Sequence, residues 1–129
     1  MRDDRDLLWW QRYARDHIRF KRSPMWAATL EYWERRCAIC GRESDEKRMI
    51  VPGQWQPANP ATTQGTTTLR HNAVPLCHSR KGDSGGCNNL KRNKEPEAWL
   101  LEVLGEAQAH AKLEEIRCFL DWLEARFPG

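Results

Sequence analysis

The stretch EKRMIVPGQW (46–55) decides how the rest of the chain is read. Arg48 to Val51 is short, contains the β-branched pair Ile50-Val51 and is closed by Pro52-Gly53, so it predicts a strand running into a turn. On one side of it stands CAIC (37–40), and further on the run LRHNAVPLCHSRKGDSGGCNNLKRNKEP (69–96). Within that run, Leu69 to Leu76 predicts a second extended segment around Asn72, and Asn88 to Asn93 a short helix stopped before Pro96. Two strands are thus flanked by cysteines, and the short helix follows the last of them.

The cysteines fall into two pairs, Cys37 with Cys40 and Cys77 with Cys87, with Cys118 left over in a helical stretch. Two thiolates from each of two turns can close a tetrahedral shell around Zn²⁺, and Gly41 suits the tight turn that such a knuckle needs. His78 is an alternative to one of the sulfurs, and a pair of disulfides is the alternative to the metal. The zinc would be structural, because protein ligands fill all its positions. Cys118 reads as an ordinary buried cysteine.

Outward from this centre the pattern is helical. Leu7, Trp10, Ala14 and Ile18 recur at helical spacing over residues 4–21, with Arg12, Arg15 and Arg19 on the other sides. Ser23-Pro24 is a helix start, followed by a stripe of Trp26, Leu30 and Trp33 that ends near Arg36. Gly53 to Thr68 has no periodicity and reads as a long loop. The last region carries Trp99, Leu100 and Leu104, breaks at Gly105, and resumes with Ile116, Leu120, Leu123 and Phe127. At 129 residues the chain fits a single domain, 1–129, divided into N-terminal helices (1–36), a zinc-stapled core (37–95) and C-terminal helices (96–129).

The net charge of +3 is unevenly spread. Arg70, Arg80, Lys81, Lys91, Arg92 and Lys94 face only Asp83 between positions 70 and 94, whereas residues 95–129 hold eight acids against three bases. A local concentration of positive charge around the second cysteine pair suits a phosphate backbone. The acidic C-terminal helix, with the many tryptophans, suggests a protein partner instead. No apolar run is long enough to span a membrane and the charged N-terminus MRDDRDLLWWQRYARD is unlike a signal peptide, so a cytoplasmic location is expected.

Several of these segments together resemble the HNH endonuclease family. SPMWAATLEYWERRCAICG is similar to the helix and first zinc knuckle before that family's catalytic hairpin, and MIVPG to its Asp-His-Ile-Val-Pro strand. HNAVPLC is similar to the second strand with its central Asn, and CNNLKRNKEPEAWL to the helix that follows. The resemblance covers roughly Ser23 to Leu100 and implies an α+β fold, a ββα-metal hairpin-helix core flanked by helices. It also implies nucleic acid as partner, DNA more than RNA, and a catalytic Mg²⁺ or Mn²⁺. Asn88 would be the helix ligand to that metal, and Asn72 the residue that positions the base.

Two positions depart from the pattern. Arg48 stands where the metal-binding Asp belongs, and Met49 where the general base belongs. A guanidinium has no lone pair to offer a metal and repels it, and a thioether does not take up a proton near neutral pH. Loss of a general base alone is worth about two to four powers of ten in rate. The expectation is a nucleic-acid-binding relative of the nucleases with cleavage lost or altered. The alternatives are an active enzyme rescued by Asp45, Glu46 or His71, and an interaction subunit.

Overall fold

Two prolines face each other across the hairpin at the centre of the molecule. The structure, a computed structural model, describes the backbone of residues 4–56, 69–80, 85–92 and 94–128, with side chains from residue 14 onward and that of Gln11. Its elements run α1 (Asp4–Lys21), α2 (Pro24–Tyr32), β1 (Arg48–Gln54), β2 (Ala73–Ser79), α3 (Cys87–Lys91), α4 (Pro96–Leu104) and α5 (Glu106–Arg126). The mixed α+β composition agrees with the sequence. Most of the loop expected over 53–68, and the basic residue Lys81, lie outside the described residues.

β1 does not turn at Pro52-Gly53; it continues to Gln54, paired antiparallel with β2 from Arg48↔Ser79 to Gln54↔Ala73. Proline lacks an N–H, so Pro52↔Pro75 has to be one of the non-hydrogen-bonded pairs that alternate along an antiparallel ladder, where no donor is lost. The outward carbonyl of Pro75 is taken up by the Ala38 N–H at 2.8 Å. Gly53 is required for closeness rather than for a turn. A Cβ there would lie 2.5 Å from Leu76 Cδ1 and 3.0 Å from Asn88 Oδ1, so only glycine lets α3 settle on the hairpin.

Ser23 caps α2 as expected, its Oγ accepting from Trp26 N at 3.2 Å and donating to Phe20 O at 2.7 Å. The helix stops at Tyr32 rather than near Arg36, because Glu34 and Arg35 take left-handed conformations (φ 56° and 60°) that turn the chain toward Cys37. The Arg35 N–H closes this turn on Leu30 O at 2.7 Å. Glu95 caps α4 through the Glu97 and Ala98 N–H groups, and Gly105 (φ 83°) makes the break before α5.

The core joins Trp26 of α2, Leu69, Val74 and Leu76 at the hairpin, Trp99 and Leu100 of α4, and Ile116, Phe119 and Leu123 of α5. Two expectations about helix faces are corrected. On α1, among the described side chains, Ala14 and Ile18 face solvent and Phe20 enters the core, its ring 6.0 Å from that of Trp26; the side chains of Leu7, Trp10 and Arg12 lie outside the described residues. On α5, Cys118 is exposed, because the inward stripe is set by Ile116, Phe119 and Leu123 and position 118 falls off it.

Candidate functional site

The four paired cysteines converge. Sγ atoms of Cys37, Cys40, Cys77 and Cys87 all lie within 4.8 Å of one another, those of Cys40 and Cys77 at 3.7 Å, and no disulfide joins them. Three separate pieces of chain bring them together. The knuckle is closed by Gly41 N to Cys37 O (2.9 Å) and Cys37 N to Arg42 O (3.0 Å), with Gly41 at φ 77°. Cys77 comes from β2, and Cys87 from the first residue of α3. Gly86 fixes that last approach, since a Cβ on it would meet Cys77 O and Ser79 N at 2.8 Å.

Such a cluster is in electrostatic conflict without a cation. The Cys37 thiol is held below its ordinary value, first by a hydrogen bond from the Cys87 thiol and then by N–H groups of Cys40 and Ile39, against the effect of burial. Cys87 is driven upward by giving that hydrogen bond, by burial and by the negative sulfurs around it. Cys40 is also raised, by burial first. Four close thiols therefore do not ionise together unaided, whereas a soft metal ion takes all four as thiolates. The donor set fits a metal, and His78 is not part of it.

His78 lies on the opposite face of the hairpin. Side chains alternate along a strand, so Arg48 and Ile50 share the Cys77 face, while Met49, Val51 and Gly53 share the face of Leu76 and His78, on which α3 rests. Met49 and His78 are direct cross-strand partners. Beside them Asn88 Nδ2 donates to His78 Nδ1 at 3.0 Å. Asn89 anchors the helix by accepting from Ser79 N at 2.7 Å. The expected base position is thus occupied by a thioether, but an imidazole stands across from it. The sequence held one signal for this: aligning Pro52 with Pro75 sets the register that pairs Met49 with His78.

The other candidates land elsewhere. Asn72 exchanges both amide bonds with Gln56 (Oδ1 from Gln56 N at 2.8 Å, Nδ2 to Gln56 O at 3.0 Å), clipping the chain beyond the far end of the hairpin. Met49 and Gln54 are five residues apart on β1, about 17 Å along an extended strand, so Asn72 cannot orient a group at Met49. His71 (φ 56°) is tied to the C-terminal helix, its Nε2 3.3 Å from a Glu124 carboxylate oxygen and 2.5 Å from Phe127 O. The Asp45 carboxylate is bound by the Arg42 guanidinium and by the N–H groups of Lys47 (2.8 Å) and Arg48 (2.9 Å), which hold its pKa down at about 2, with Arg42 the largest cause. Glu46 is exposed. None of these is placed beside Met49 in the way His78 is.

Among the described residues the basic candidates do not form one patch. Arg70 precedes β2 and Arg80 follows it, so a strand of roughly 20 Å separates them. Arg80, Arg92 and Lys94 are exposed, Lys94 with Glu102 at 3.3 Å. Lys91 is turned inward: it is 1% exposed, its Nζ donates to Gln54 O and Lys94 O at 3.1 Å, and it sits 5.5 Å from the Trp55 ring centre. It is a structural cation, unavailable to phosphate. The apolar stripe of α5 is likewise taken up by the chain's own core.

No protein-family model matches the chain, and no curated protein or solved structure matches it either. Among the described residues no helix is long and apolar enough to cross a membrane.

Proposed function

We propose that this chain is a zinc-stapled, HNH-like module that binds nucleic acid, DNA in preference to RNA, without cutting it. The zinc reading rests on the donor set and its dimensions. Four thiolates about 2.3 Å from a tetrahedral ion stand about 3.8 Å apart, and the Cys40–Cys77 separation is 3.7 Å. The ion would tie the knuckle, β2 and α3 together and so hold the hairpin-helix cleft in shape.

The observation that carries the non-cleaving reading is the His78–Asn88 contact beside Met49. The Asn88 amide engages Nδ1 at 3.0 Å, and a neutral imidazole that accepts there carries its proton on Nε2. An Nε2–H can donate to a phosphate oxygen but cannot take a proton from water. With a thioether at position 49 and a guanidinium at 48, this strand carries neither the base nor the acidic ligand of the family pattern. Hydrolysis needs both a base and a cation at the leaving oxygen.

The test combines binding and cleavage on metal-loaded protein. Fluorescence anisotropy with a labelled DNA duplex should show salt-dependent binding, and supercoiled plasmid should survive incubation in Mg²⁺ or Mn²⁺. Absence of binding even at low salt would remove the nucleic-acid reading. Nicking by the wild type that disappears in His78→Ala would make the protein a nuclease with a relocated base.

A further inference from the structure

Arg48, in the family-like pattern the place of a metal-binding acid, lies on the hairpin face that carries Cys77. Its Nη1 is 3.9 Å from Cys77 Sγ, a sulfur that also accepts the Cys87 N–H at 3.2 Å and is fully buried. The strand register makes this placement obligatory: Arg48 pairs with Ser79, so the Cys77 side chain is its diagonal neighbour on the same face. The main chain of Arg48 is fixed as well, its N–H on Asp45 Oδ1 at 2.9 Å and its carbonyl accepting Asp45 N at 2.8 Å.

We propose that Arg48 is the outer-sphere cation of the tetracysteine centre. A divalent ion with four thiolates carries a net charge of −2, and such a centre is stabilised by N–H groups and positive charge aimed at its sulfurs. Cys77, buried and least able to be solvated, receives both. Arg48 further lines an open cleft of about 490 Å³ with Arg36, Cys40, Arg42 and Asp45, so the centre meets solvent beside this guanidinium. Arg36 and Arg42 are engaged with Glu43 and Asp45. A carboxylate at position 48 would add negative charge to a centre that already has an excess.

The inference rests on the tetracysteine metal reading, and the experiment separates the two. Wild type and the variants Arg48→Lys, Arg48→Gln and Arg48→Asp are purified with zinc, and metal content, zinc affinity and release rate are measured against a chromophoric chelator. Cobalt(II) loading reports the thiolate-to-metal charge-transfer band. Affinity should fall in the order Arg, Lys, Gln, Asp, by about 10- to 100-fold for Gln. Arg117→Gln, which removes an exposed cation on α5, should leave it unchanged. Wild type without stoichiometric metal would overturn the metal reading itself. Metal-loaded Arg48→Gln with wild-type affinity, release rate and cobalt spectrum would overturn the role of Arg48 alone, and this variant keeps the test decisive if Arg48→Asp does not fold.

Discussion

His78 and Asn88 meet at 3.0 Å beside Met49, on the face of the hairpin that α3 covers, while the cysteine cluster gathers Cys77 from the opposite face. One two-stranded ribbon thereby serves a structural metal and a separate polar contact. The predictions below take these apart.

Zinc should be found at one ion per chain, bound by Cys37, Cys40, Cys77 and Cys87. Cys37→Ser, at a buried position, should lose the metal and the cooperative unfolding transition together, since structural zinc supplies folding free energy directly. Because the ligands must give up protons, affinity should also weaken as pH is lowered. Elemental analysis and thermal circular dichroism provide the check; a folded, metal-free wild type with titratable thiols contradicts it.

Gly53→Ala should destabilise the protein by about 1–3 kcal/mol through overpacking, because its Cβ would press on the fully buried Leu76. Gly86→Ala should do more harm, since besides Asn89 Oδ1 two of the obstructing atoms are backbone, Cys77 O and Ser79 N. Urea unfolding of the zinc-loaded proteins measures both. Equal stability in either variant would mean that α3 does not pack as described.

The Lys91 pKa is lowered to about 8 by burial, partly offset by Glu95. Between about 8 and the ordinary 10.5 the unfolded chain holds a proton that the folded chain has released, so stability should rise with pH through this window. Below it both forms are protonated and Lys91 gives no slope. The rise should be missing from Lys91→Met, measured as the difference in unfolding free energy between the two proteins at each pH. A difference that is flat or opposite in sign refutes it.

Phosphate contacts should come from the exposed Arg80 and Arg92 rather than from Lys91. The Arg80→Ala, Arg92→Ala double variant should weaken binding to all sequences alike and reduce the salt slope by roughly one to two. An unchanged slope excludes both residues from the interface.

Cleavage in Mg²⁺ or Mn²⁺ should be undetectable in the wild type and unaffected by Asp45→Ala or His71→Ala, because Arg42 and backbone N–H groups engage the first, and α5 the second. Activity abolished by either substitution would place the base elsewhere than the hairpin-helix face.

Local chemistry alone determined much of this protein. Ser23-Pro24, Pro96 and Gly105 mark helix ends through capping, fixed φ and left-handed freedom, and the structure has its helix boundaries there. The two cysteine pairs announced their cluster because ligand spacing in a knuckle is a short-range property. Other features depended on contacts between segments distant in sequence. Pro52-Gly53 has the local signature of a turn, and only Pro75 opposite and α3 above keep it in a strand. Lys91 belongs to a basic run, yet burial against Trp55 and two carbonyls removes it from the surface. His78 follows a cysteine and reads as a spare ligand, but strand alternation turns it away from the cluster and toward Asn88. A side chain's face is fixed by register, and register is a relation between two strands that neither strand encodes by itself.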